Sequence, residues 1–122
     1  MTAAAVTSAV IGRNAATAMG AFVQIPTNDV CLVDAGKDDQ KICIHIKNSI
    51  TSATHTAVIS KGNGLQGVKD LEIPIAQSSE VVIVVESGAF KQMSGGNKGK
   101  ILIKDKSTTN TNALQVAAVV LP

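Results

Sequence analysis

The segment Lys41-Ile42-Cys43-Ile44-His45-Ile46-Lys47 constrains this chain more than any other. Side chains on an extended backbone alternate between two faces. Ile42, Ile44 and Ile46 therefore share one side, and Lys41, Cys43, His45 and Lys47 share the other. Three β-branched isoleucines on one face suit a pleated, half-buried strand. The segment needs a sheet with one face on a core and the other face free.

The rest of the chain carries the same signature in shorter pieces. Phe22-Val23-Gln24-Ile25 is stopped by Pro26-Thr27-Asn28-Asp29, and Val30-Cys31-Leu32-Val33 by the turn cluster at 34–39. After the polar stretch 48–54, His55-Thr56-Ala57-Val58-Ile59-Ser60 reads as the returning strand of a hairpin. Residues 68–75 alternate through Leu71, Ile73 and Ile75, with Pro74 pointing to an edge or an irregular segment at its end. Val81-Val82-Ile83-Val84-Val85 is a continuous β-branched run, expected under cover on both faces or at an interface. Residues 86–93 read as one more strand, and 100–104 and 113–121 complete the set. About seven to nine short strands at roughly ten-residue spacing, without an amphipathic helix, predict an all-β, antiparallel β-sandwich or small barrel. Residues 1–20, rich in Ala and Thr, stand apart as an N-terminal arm or first strand. Residues 21–122 read as a single domain.

Composition narrows the function classes. The 122 residues include 11 basic and 9 acidic side chains, a net charge of +2. That field is too weak to hold a nucleic-acid backbone by counterion release. The aromatic residues are Phe22 and Phe90 alone, with no Trp and no Tyr. Stacking platforms for bases or sugars are therefore not expected. No apolar run approaches the ~20 residues of a membrane helix. Residues 1–10 lack a basic stretch ahead of their small apolar residues, so no secretory signal is expected. Cys31 and Cys43 are expected as free thiols.

Three groups of residues invite a chemical reading. Gly62-Asn63-Gly64-Leu65-Gln66-Gly67 spells G-x-G-x-x-G, but a dinucleotide site needs a helix after the string. Residues 68–75 are strand-like, so the glycines are assigned to a hairpin loop. Cys43 and His45, two apart on one strand, point the same way and are good zinc ligands. His55 reaches the same patch if the predicted hairpin has the right register, and Cys31 joins if its strand adjoins. Symmetry copies are a further source of ligands, so zinc is the one candidate cofactor. Lys98, Lys100, Lys104 and Lys106 are the only basic concentration; they read as a solvated face or a protected edge, or as a docking patch for an acidic protein surface. No Ser, His and carboxylate fall together, and Glu86-Ser87-Gly88 is not a nucleophile elbow. No enzyme is expected.

The order of segments resembles a family of small phage virion proteins of the capsid decoration (cement) type. Five features carry the resemblance. They are Pro26-Thr27-Asn28 before a strand, and the alternating 42–48 strand followed by a polar turn. Next come the Gly-rich loop 61–67 leading into Asp70-Leu71-Glu72-Ile73-Pro74, and Glu86-Ser87-Gly88-Ala89-Phe90-Lys91-Gln92, similar to an E-S-A-R-F-x-Q element. The last is the apolar ending Val119-Val120-Leu121-Pro122. Together they span residues 21–122. The resemblance implies an Ig-like β-sandwich, present in many copies on the outer surface of an assembled head. Its partner would be the major capsid protein of an HK97-type shell, and the chain would be a homo-oligomer, a trimer being favoured. In a trimer, three copies of His45 or His55 near an axis would share one zinc. A tail or baseplate component is the alternative structural role. An adhesion or carbohydrate-binding sandwich is the alternative from another class, and the missing Trp and Tyr count against it.

Overall fold

The computed structural model describes residues 4–7, 9–10, 16, 22–26, 29–34, 41–51, 53–63, 69–92, 95–96, 98–107 and 113–120. Most of the proposed arm, the turn cluster at 35–40, the glycines at 64 and 67, the loop at 108–112 and the closing Leu121 and Pro122 lie outside them. Ten strands and one helical turn follow one another along the described chain. They are β1 (Ala4–Val6), β2 (Ala9–Val10), β3 (Val23–Gln24), β4 (Cys31–Asp34), β5 (Lys41–Asn48), β6 (His55–Ile59), β7 (Leu71–Ile75), β8 (Glu80–Glu86), α1 (Ser87–Phe90), β9 (Lys100–Asp105) and β10 (Leu114–Val120). The protein is all-β, a sandwich of two sheets with mostly antiparallel pairing, as the alternation requires.

The first sheet runs β1-β4-β9-β6-β7 and the second β2-β10-β5-β8, with β3 also on β10. The pairings have a simple origin. β6 pairs with β7, β5 with β8, β4 with β9 and β3 with β10, all antiparallel. These four pairs nest about the connection between β6 and β7, so most of the chain is one long doubled-back ribbon. Rolling that ribbon adds the pairs β5–β10 and β6–β9 and closes the two sheets. This is the jelly-roll arrangement of two Greek keys. The Ig-like connectivity implied by the resemblance is not the order found. In an immunoglobulin domain the last two strands are hydrogen-bonded neighbours, whereas β9 and β10 lie in opposite sheets. The N-terminal segment joins both sheets, β1 running parallel to β4 and β2 parallel to β10.

Burial follows the period of two. Ile42, Ile44 and Ile46 are fully buried between the sheets, together with Ile25, Ile59, Ile75, Ile101, Ile103, Leu114 and Val116. An isoleucine-built core holds its shape because β-branched side chains have few rotamers to exchange. Phe90 packs against this core from its margin.

Two sequence expectations change. His55–Ile59 does not return on β5 as a hairpin; it joins the opposite sheet. Asn48 explains the crossing. Its buried side chain accepts the Ile50 N–H at 3.0 Å and donates to the carbonyls of Ala53 at 3.0 Å and Ile75 at 3.1 Å. Those bonds bring Ile50 and Ala53 back onto Asn48 and fasten the connection to the end of β7, which a tight two-stranded turn would not do. The second change is at residues 86–93, read as a strand. The β-branched run ends at Val85, and Ser87–Phe90 forms a single helical turn instead. The chain is leaving one sheet for the other there, and the Gly62 N–H fixes the turn by donating to the Ala89 carbonyl at 3.0 Å.

Candidate functional site

Residues directly opposed across an antiparallel pair share a face. β5 meets β8 from Lys41–Glu86 through Cys43–Val84 and His45–Val82 to Lys47–Glu80. These eight side chains form the outer strip of the second sheet. On β8, Val82 is 55% exposed and Val84 52%, the only exposed large apolar side chains among the described residues. On β5, Cys43 and His45 are half-buried beside them. The His45 Nδ1 lies 3.7 Å from Glu80 Oε1, and the Lys47 ammonium sits 4.5 Å from the centre of the Phe22 ring.

The strip has a sharp inner border. β10 continues the sheet on the far side of β5, placing Ala117 opposite His45 and Val119 opposite Cys43. Both therefore face outward, yet Ala117 is fully buried and Val119 nearly so. The outer face is thus covered over β10 and open over β8. Since Val82 and Val84 are more than half exposed, cover on both faces, one of the two expectations for the 81–85 run, is not what the structure has.

The structure separates the predicted metal ligands. Cys43 and His45 share the open strip, as their spacing requires. His55 does not join them, because β6 belongs to the other sheet and His55 points inward. Its Nδ1 donates to Asp105 Oδ2 at 2.7 Å, with both side chains almost fully buried. The second Asp105 oxygen accepts the Ser107 N–H at 3.0 Å. This couple ties β6 to β9 at one end of the sandwich. Cys31 is also turned inward, and burial pushes its thiol up to about 12. Both cysteines are free, as expected. No three His, Cys, Asp or Glu side chains converge among the described residues. A four-coordinate zinc on Cys43 and His45 would need donors beyond those that the described residues bring together.

The other candidates resolve in the same way. The string beginning at Gly62 sits in the β6–β7 connection, and the next element among the described residues is the strand β7. Gly62 serves a close approach, since a Cβ there would lie 2.5 Å from the Lys91 carbonyl oxygen. Lys100 and Lys104 stand on β9, an interior strand, so edge protection does not account for them. The Lys100 ammonium lies 3.9 Å from Asp34 Oδ1, and Lys106 donates to Glu72 Oε1 at 2.8 Å. These lysines are spread over a mixed-charge face.

Of the two expectations for the 81–85 run, an open face at Val82 and Val84 is compatible with an interface and not with cover on both faces. The sequence signal is a run of five β-branched residues closed at each end by a glutamate, Glu80 and Glu86. Comparison with family models, curated proteins and solved structures finds no match to this chain.

Proposed function

We propose that this chain is a non-enzymatic structural protein of a phage virion, a decoration protein that binds the outside of an assembled head and stabilises it. The order of segments over residues 21–122 supports this reading. The observation that carries it is the pair Val82 and Val84, more than half exposed on an otherwise well-packed sandwich. Apolar side chains set side by side on a sheet face gain most by being covered by another protein.

Stabilisation then follows from mass action. A protein that binds the assembled shell and not its free subunits shifts the assembly equilibrium by RT ln(1 + [L]/Kd), about 2.7 kcal/mol per site at a hundredfold excess over Kd. Many such sites act together against internal pressure. The test incubates purified protein with assembled heads, free capsid subunits and tails, followed by sedimentation and electron microscopy. Binding to heads alone, with heads then surviving higher temperature, is the expected result. Binding to tails alone moves the protein to the tail or baseplate, and binding to a glycan array with neither particle overturns the structural role.

A further inference from the structure

We propose that the outer strip of β5 and β8 pairs with the same strip of a second copy, face to face, about a two-fold axis parallel to the strands. This keeps the strip as an attachment surface from the preceding reading but assigns it to a second copy on the same particle, so contact with the shell itself falls to another face of the chain. The charge pattern selects the pairing. β5 carries Lys41 and Lys47 at the two ends of the strip, and β8 carries Glu86 and Glu80 opposite them. Between the charged ends lie Cys43, His45, Val82 and Val84.

Three perpendicular two-fold axes pass through such a strip, and they differ in what they bring together. An axis normal to the sheet joins β8 edge to edge with its copy, and in full register places Glu80 opposite the partner's Glu86. An axis in the face but across the strands lays β8 on β8 and β5 on β5, setting Glu80 on Glu86 and Lys41 on Lys47. Like charges directly opposed are destabilising. An axis along the strands lays β5 of each copy over β8 of the other without reversing their direction. Lys41 then meets the partner's Glu86, Lys47 the partner's Glu80, and each contact occurs twice. Val82 and Val84 are covered by His45 and Cys43 of the other copy, at the ~10 Å spacing of stacked sheets. Strand directions stay aligned, the usual geometry for sheets packed face to face. The strip has eight side chains, well short of the roughly 20–30 residues a side of a standard interface, so the pair is weak in dilute solution and fills where copies are crowded.

The experiment uses the isolated full chain. Sedimentation equilibrium up to about millimolar concentration is expected to show a monomer–dimer equilibrium. Lys41→Glu or Glu86→Lys alone turns two attractions into two repulsions and weakens the dimer roughly tenfold. Mixing the two single variants restores it, because in the mixed dimer opposite charges face each other again at both of these contacts. An effect confined to folding of one chain would not be rescued by mixing. A short bismaleimide is expected to join two wild-type chains through Cys43, since Cys31 is buried and its thiol is pushed up to about 12. A monomer at every concentration, a trimer, or a dimer indifferent to both charge reversals overturns the proposal. A dimer that ignores assembled heads overturns the virion role and leaves this pairing intact; a head-binding monomer does the reverse.

Discussion

Replacing Asn48 with Ala tests what holds the rolled ribbon closed. The side chain is 1% exposed and makes three hydrogen bonds, to the Ile50 N–H and the Ala53 and Ile75 carbonyls. Two of these lie near the surface, where water replaces the lost partner, so each costs about 0.5–1 kcal/mol. The third leaves the buried Ile75 carbonyl without its side-chain donor, which costs about 1–3 kcal/mol. The sum is about 2–5 kcal/mol. For a chain of this length, a loss near 3 kcal/mol lowers Tm by roughly 10–15 °C. Urea unfolding followed by circular dichroism gives the free energy, with Ser49→Ala as the local control. Ser49 is exposed and donates one bond to the Ala113 carbonyl at 3.1 Å, so its loss is expected to stay under about 1 kcal/mol. A cost for Asn48→Ala no larger than that of Ser49→Ala would refute the assignment of Asn48 as the crossing's fastener.

Further outcomes follow from other positions. His55→Ala leaves the Asp105 carboxylate buried and unpaired, and is expected to cost about 3–5 kcal/mol in denaturant titration; a cost below ~1 kcal/mol would remove the couple from the structural account. Gly62→Ala forces a Cβ against the Lys91 backbone, so a loss of about 1–3 kcal/mol is expected, and an unchanged Tm would contradict the close approach. Cys31 gives a pH signature. Its thiol stays protonated in the folded chain up to about 12 while the unfolded thiol ionises near 9.0, so unfolding releases a proton between those values. Its stabilising contribution is complete below pH 9 and falls by about 1.4 kcal/mol per pH unit above it. Cys31→Ala is expected to flatten that slope, and an identical slope in the variant would rule out Cys31 as its source. Val84→Lys, on the open strip, is expected to change stability by less than about 0.5 kcal/mol while abolishing self-association, read by melting and by sedimentation in parallel.

The division between sequence and tertiary structure runs through particular residues. Alternation at 41–47 determined that β5 exists, which of its faces is buried, and that Cys43 and His45 look outward together, because side-chain direction on a strand is a local property. Pro74 marked the end of β7 as an edge or an irregular segment for the same reason, its missing N–H being a fact about one residue, and the sheet order made it an edge. Local pattern carries nothing about partners. His55 was legible as a strand residue, but whether it joined Cys43 or Asp105 depended on which sheet its strand entered. That choice was made by Asn48 and by the nesting of strand pairs about the β6–β7 connection. The 81–85 run was equally compatible with cover on both faces or with an interface, since β-branched residues suit either. Only the tertiary packing left Val82 and Val84 open, because exposure on a sheet face is set by whether another part of the chain covers it and not by the strand itself.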